Sequence, residues 1–425
     1  MFQGRIKTHQ LDFWKYWTGQ TISNLGSSIT IFVLPLLVYK LTGSALNLSI
    51  TTAAEFLPYV LFGLLLGALM DRVNRKQAMI YADVGRALVI ASIPLAYQFG
   101  ILSVWWIYIV GFLQATLTIC FEAGAFAAIP NLVDRENLVS ANGRLQASYS
   151  GAGIAGPVLA GLLVALFPFA DVLLCDALSF VLSALSLLLI GSTFHAQEQA
   201  EGTRSTLRED IVAGLKYVLG HPVLRNISLM MAIYNFVGAT MSSQLVLFAK
   251  QCLLATDAQT SWLYSAGSVG VVVLSLLAGV LRKRWSFSRV ALSALMLEGL
   301  LTIMFAWMRW YWVALVLEAL LMGLGILFNI NTGSLRQAIV PDYMLSRVMS
   351  IAGVLAWSAI PLGSVLGGLA ITWTQNVALV FCVIGILFFL IPLGFSFTAL
   401  GHAERYIPRQ RSADQPLAMD IQAES

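Results

Sequence analysis

Four glutamates stand inside long apolar runs: Glu55, Glu122, Glu298 and Glu318. Protonation neutralises a carboxylate that hydrocarbon solvates poorly, so a group so placed can carry a proton and, when ionised, attract a cation. Asp83 and Arg86 are three residues apart in another run, a spacing that lets them form a buried ion pair on one helical face. Asp171 and Asp176 begin a further run; Asp171 can meet water or cap a helix, and Asp176 joins the glutamates as a candidate for proton coupling. Polar residues also recur at helical spacing. Gln20, Ser23, Asn24 and Ser27 are three or four apart, Gln114, Thr118 and Glu122 are four apart, and Glu318 shares a face with Asn329. With Asn235, Gln244 and Trp357 these side chains could wall a central cavity, or bond one helix to another. Met322 and the phenylalanines read as core.

The elements that must position these groups are membrane helices. The chain has 425 residues, 58% hydrophobic and 11% charged, with mean hydropathy +0.81. A soluble domain carries roughly 25% charged residues, so soluble, secreted, fibrous and disordered classes are excluded. Apolar runs lie near 16–40, 46–70, 78–98, 104–128, 140–166, 170–192, 226–249, 260–281, 288–308, 310–333, 347–372 and 376–399. Each suits a transmembrane helix of about 20 residues, which makes the fold class all-α integral membrane with twelve spans. The first run follows Arg5, Lys7 and Lys15, is too long for a cleaved signal and lacks a small-residue cleavage site, so it stays as a helix.

Orientation follows from Lys and Arg, which accumulate in cytoplasmic loops. With the N-terminus inside, the outer side receives only Lys40, Lys250 and Arg309, and Arg86 alone lies inside a span. Trp105, Trp106, Trp307, Trp310, Trp312 and Trp373 then gather at the outer interface, where indole rings prefer to sit. Both termini are therefore expected in the cytoplasm, in a plasma (inner) membrane protein.

The longest polar interruption divides the chain into a six-helix bundle over 1–192, a cytoplasmic linker over 193–225, a second six-helix bundle over 226–399 and a polar tail over 400–425. Within the linker, Ile211, Leu215, Val218 and Leu219 form one face, which predicts an amphipathic helix along the membrane surface. The halves echo one another. Gly156-Pro157-Val158-Leu159-Ala160-Gly161-Leu162 matches Gly363-Ser364-Val365-Leu366-Gly367-Gly368-Leu369 at an offset of 207, and Gly67 with Asp71-Arg72 matches Gly279 with Lys283-Arg284 at an offset of 212.

No enzyme constellation is present. His9, His195, His221 and His402 fall in tails or inner loops, and there is no GxxxxGK[ST] or HExxH segment, so no metal or cofactor is called for. Cys120, Cys175, Cys252 and Cys382 form no CxxC pair and read as buried apolar fillers. The basic residues are scattered rather than clustered on a soluble face, which argues against a nucleic-acid partner.

Two motifs carry the functional reading. Gly67-Ala68-Leu69-Met70-Asp71-Arg72-Val73-Asn74-Arg75-Lys76 joins spans two and three, with Gly67 allowing close helix approach, Asn74 suited to a left-handed turn, and the basic residues holding the loop inside. This segment resembles the major facilitator superfamily, whose corresponding loop reads Gly-x-Leu-Ala-Asp-Arg-x-Gly-Arg-Arg; Met70 and Asn74 depart from that pattern. The resemblance implies two pseudo-symmetric six-helix bundles and an inner gate built from Gly67, Asp71, Arg72 and Arg75. Gly143, Ala152, Gly156, Pro157, Ala160 and Gly161 in span five place small residues on one packing face, and they resemble the superfamily's exporter motif with alanine at two glycine positions.

Trp17-Thr18-Gly19-Gln20-Thr21-Ile22-Ser23, Phe56 to Gly63, Ile80-Tyr81-Ala82-Asp83, and Pro341-Asp342 with Arg347-Val348-Met349-Ser350 are similar to the macrolide-efflux branch of the drug-proton antiporters. That resemblance implies export of a small amphiphilic organic substrate against protons by a monomer in membrane lipid. The arginine that many such antiporters carry in helix four is absent from Trp105 to Glu122, so coupling residues are sought elsewhere. Export of a siderophore or other metabolite, proton-coupled import, and sensing without transport are the rival readings.

Overall fold

The structure, a computed structural model, describes residues 2–70, 73–191 and 207–406. Among these residues there is no strand, and twelve stretches are long and apolar enough to cross a membrane. The first six helices are α1 (Phe2–Thr42), α2 (Ala45–Met70), α3 (Arg75–Gln98), α4 (Val104–Leu132), α5 (Leu138–Leu166) and α6 (Phe169–Leu188). A shorter helix, α7 (Leu207–Gly220), precedes α8 (Pro222–Gln251), α9 (Asp257–Arg284), α10 (Phe287–Trp307) and α11 (Tyr311–Ile339). The last are α12 (Asp342–Trp357), α13 (Ile360–Thr374) and α14 (Val377–Ser396), followed by a 3-10 segment over Ala399–Tyr406.

Helix limits are set by local chemistry. Ser103 and Asn376 accept from the N–H of Trp106 and Leu379 to cap α4 and α14, and Thr256 with Gln259 forms a reciprocal capping box at α9. Gly43 and Gly100, at φ +60° and +69°, make the tight reversals after α1 and α3.

Several details depart from the sequence reading. Span eleven is broken into α12 and α13 at Ser358–Ala359, where Pro361 stands at the start of α13 and supplies no backbone N–H. Asn74 caps α3 by accepting from the Gln77 N–H, and its φ of −67° is not left-handed. Arg86 is not the only cation within a span: α11 continues past its apolar run, and Arg336 is 6% exposed, donating to the Met231 sulfur. Cys175 is exposed and so is no buried filler.

The linker helix α7 does not rest on a membrane surface alone. Val218 is fully buried with Leu224, Val340, Met344, Val348 and Ile351, while Leu215 and Leu219 remain exposed. Gly214 permits this approach, since a Cβ there would fall 3.1 Å from Ile351. The segment before Leu207 and the tail beyond Tyr406 lie outside the described residues.

Packing repeats between the halves. Helix α1 contacts α5 and α6, as α8 contacts α13 and α14; α3 lies against α4 and α6, as α10 lies against α11 and α14; α2 pairs with α4 as α9 pairs with α11. The halves meet through α5 on α9 and α2 on α13, which are equivalent contacts under the same repeat. These are two pseudo-symmetric six-helix bundles.

Polar contacts close one end of their interface. Gln244 donates to the Ala45 carbonyl and the Ser49 hydroxyl, both at 2.7 Å, and Ser364 donates to the Ser49 carbonyl at 3.2 Å. Ser265 donates to the Ile154 carbonyl at 2.9 Å, and Lys40 meets Asp257 at 3.0 Å. Toward the opposite, basic end, Tyr149, Gly151, Met349 and Trp357 are exposed. The hydrogen bonds between the halves named above thus gather at the end away from the basic loops.

Candidate functional site

Two adjoining cavities lie along α8 and α11. One, of about 300 Å³, is walled by Thr52 and Phe56 of α2, Tyr234 and Asn235 of α8, Glu298 of α10, Asn329 of α11 and Phe388 of α14. The other, of about 220 Å³, is walled by Leu245, Tyr264, Gly267 and Glu318. Met241, Ser242, Val271 and Met322 line both. Met322 is therefore cavity wall, in contrast to its reading as core. None of the residues lining either cavity is Lys, Arg or His.

Each cavity holds one carboxylate. Glu298 and Glu318 are both 3% exposed. The Tyr234 hydroxyl donates to Glu298 Oε1, and its ring stacks on Phe388 with centroids 4.5 Å apart. Glu298 Oε2 is buried and takes no hydrogen bond. A carboxylate with a dedicated donor on one oxygen and none on the other can accept a proton or a cationic group at the free oxygen. Glu318 lies beside Gly267, whose missing side chain leaves room for it. Asn235 lines the first cavity while donating to the Ala356 carbonyl at 2.9 Å. Trp357 packs edge-on against Tyr59 of α2 at 5.5 Å, a contact between the two bundles.

The remaining candidates are placed elsewhere. Glu55 is half-buried on α2 against Gly111 of α4 and lines neither cavity. Glu122 is exposed, and Gln114 on the same face of α4 is half-buried with Oε1 unpartnered. Gln20 is turned away from the central path: it is 8% exposed and donates to Ser183 of α6 at 3.0 Å. Gly19 and Gly26 bring α1 close to α6, where Gln20 and Ser27 spend their polarity on α6 rather than on the path. Asn24, half-buried on that helix, lines neither cavity. Gln244 belongs to the closed end rather than the cavity wall.

Asp176 is fully buried among hydroxyls, accepting from Ser27, Thr30 and Ser179, so its lone pairs are engaged between α1 and α6. Arg86 donates to Asp83, and its guanidinium lies 4.2 Å from the Phe121 ring and 4.4 Å from the Phe180 ring. That pair is buried within the first bundle, away from both cavities.

Of the gate motif, Asp71 and Arg72 lie outside the described residues; Gly67 is in the last turns of α2, and Arg75 begins α3. Of the exporter motif, Ala152, Gly156, Pro157, Ala160 and Gly161 are buried, with Gly156 against Ser28 of α1 and Gly161 against Ser261 of α9. Gly143 is exposed and touches nothing within 4 Å of where a Cβ would be, so it takes no part in that packing.

Residues 8–425 match the family model of transmembrane secretion effectors. The chain belongs to that family. It is a multi-pass membrane transporter of the major facilitator superfamily and not an enzyme. Macrolide efflux protein A of Streptococcus pyogenes is 25% identical over 363 residues, which is 85% of this chain and 89% of that protein. The multidrug efflux pump Tap of Mycolicibacterium fortuitum is 27% identical over 364 residues, covering 81% and 85%. Among solved structures, the nucleoside transporter NupG superposes with a TM-score of 0.73 at 15% identity, covering 93% of this chain and 99% of that one. An inward-facing bacterial homologue of the human lysosomal transporter Spinster gives 0.72 at 13%, covering 96% and 99%. These likenesses show the fold.

Sequence reasoning passed over Tyr234, Tyr264 and Phe388 as site residues of this transporter. A tyrosine inside an apolar run was the available signal, because its hydroxyl needs a partner there. Nothing in the sequence paired Tyr234 with a residue 64 positions away.

Proposed function

We propose that this transporter exports a drug-like or natural-product amphiphile of macrolide type in exchange for protons, by alternating access. The observation that carries the reading is the pair of buried carboxylates, Glu298 and Glu318, in adjoining aromatic and methionine-lined cavities that contain no cation. Protonation and substrate binding would compete for the same free oxygen, which is the requirement for exchange. By the positive-inside rule the basic end, where both termini lie, faces the cytoplasm and the hydrogen-bonded end faces outward, so the path would open inward. Gly67, Asp71, Arg72 and Arg75 would grip when the inner end shuts. Each proton moving down 100 mV supplies about 2.3 kcal/mol, enough to drive a substantial gradient with one or two protons per cycle. The names of the efflux relatives support export and a macrolide-type substrate.

The test is accumulation of a radiolabelled macrolide and other amphiphiles in cells with and without this chain, before and after a protonophore. Lower accumulation that the protonophore abolishes is expected, with Glu298→Gln and Glu318→Gln each losing active export. Efflux that persists unchanged after the pH gradient and the potential are both collapsed would defeat proton coupling.

A further inference from the structure

A third cavity lies on the outer surface of the second bundle, at the basic end. It is a groove of about 520 Å³ between the first turns of α10 and the end of α14, lined by Trp285, Ser288, Arg289, Leu292, Ser293 and Met296, with Ser396 and Gly401 opposite. It shares with the central cavities none of its lining residues. Arg289, Ser293 and Met296 fall on one face of α10, so the groove runs from a cation into the apolar span. Its mouth is narrowed by no large side chain on the α14 side, because Ser396 and Gly401 stand there.

The charge around it is mostly positive, with Glu404 the one anion bonded to its lining among the described residues. Arg289 is exposed and makes no ion pair among the described residues. Arg282, Lys283 and Arg284 close the preceding helix, and Arg405 follows in the 3-10 segment. The nearby acid, Glu404, is engaged, accepting from the Ser288 N–H at 2.8 Å and the Ser288 hydroxyl at 3.0 Å. Trp285, 48% exposed, stands at the rim, the depth an indole takes at a membrane interface. A cation at headgroup depth above an apolar floor of Leu292 and Met296 fits a negatively charged phosphate carrying acyl chains.

We infer that this groove binds an anionic phospholipid of the leaflet at the basic end, with Arg289 holding the headgroup phosphate and the α10–α14 groove holding a chain. The site is independent of the transport path and of the transported substrate. A zwitterionic phospholipid lacks the net charge that Arg289 and its neighbours select, and a free phosphate ester lacks the chain.

Native mass spectrometry of the full chain in detergent tests this, with equal additions of dioctanoyl phosphatidylglycerol, dioctanoyl phosphatidylcholine and glycerol 1-phosphate. Phosphatidylglycerol is expected to be retained, about tenfold more than the other two. Arg289→Gln should lose that preference, while Arg225→Gln, an exposed cation at the same end on α8, should keep it. Ser293→Phe should weaken retention by filling the groove, and its own hydroxyl bonds only within α10, so the variant provides a second reading if Arg289→Gln does not fold. Equal retention of the two phospholipids, retention of glycerol 1-phosphate to the same degree, or equal loss in Arg225→Gln would each overturn the assignment.

Discussion

Gly161 and Gly368 occupy equivalent positions in the two bundles, 207 residues apart, and each receives a serine from the opposite bundle: Ser261 of α9 at Gly161 and Ser49 of α2 at Gly368. Their partners in the repeat, Gly156 and Gly363, each take a helix of their own bundle, α1 at Ser28 and α8 at Phe236. The duplicated glycine pattern thus does two jobs twice, one within a bundle and one between bundles.

A side chain at either inter-bundle glycine should prevent the outer end from closing. Gly161→Val and Gly368→Val are each expected to cut transport more than about tenfold, because overpacking costs about 1–3 kcal/mol and falls only on the closed state. Gly63→Val and Gly333→Val, where nothing lies within 4 Å of the added Cβ, should retain transport. Equal effects at all four positions would refute the packing argument.

Tyr234→Phe removes the donor to Glu298 and leaves both carboxylate oxygens buried without a partner. The expected loss is about 1–3 kcal/mol of stability, read from thermal unfolding in detergent. Combining it with Glu298→Gln should cost less than the sum of the two single changes, and strict additivity would show that the pair does not interact.

Arg86→Met strands Asp83, and Asp83→Asn leaves the guanidinium between Phe121 and Phe180 without its anion. Breaking a buried pair from one side costs about 3–5 kcal/mol. The double variant is expected to recover part of that loss. Unfolding temperatures that fall equally for single and double variants would contradict it.

Gln244→Leu deletes two hydrogen bonds across the closed end, each worth about 1 kcal/mol. The closed population should fall by up to about thirtyfold relative to the open one. In a background lacking the four native cysteines, Ser242→Cys in the cavity wall should then react faster with an impermeant maleimide supplied from the outside. An unchanged rate would show that other contacts hold that end.

Glu404 offers a pH signature outside the membrane. Burial pushes its carboxyl up, but the Ser288 N–H and hydroxyl and the Ser286 hydroxyl outweigh it and hold it below the ordinary carboxylate value. A lowered folded value stabilises the protein above the unfolded value of about 4.3 and is lost as pH falls through the folded one. Glu404→Gln should therefore destabilise the protein at pH 7, by at most about 1 kcal/mol because the group is partly exposed, read as a lower unfolding temperature, and the difference should shrink as pH falls below about 4.3.

Much of this transporter is determined by its sequence alone. Twelve apolar stretches, their polarity with respect to Lys and Arg, and the duplication at Gly156 and Gly363 follow from composition and spacing, because a bilayer allows a chain so few ways to satisfy its backbone; the family likeness rests instead on motifs such as Gly67 to Lys76. Helix limits agree to within a few residues, except where α1 begins at Phe2, well ahead of the run at 16, where Arg336 lies buried past the apolar run, and where span eleven breaks before Ile360. What only the tertiary structure decided is which face of each helix looks at the path. Gln20, Gln244 and Glu298 are each a polar residue in an apolar helix, and nothing local distinguishes them. Gln20 goes to α6 because glycines draw the two helices together, Gln244 goes to the closed end because α2 begins beside it, and Glu298 meets the cavity through a tyrosine on another helix. Hydropathy records how much a residue avoids lipid; the neighbour that receives it is fixed only when helices distant in sequence pack together.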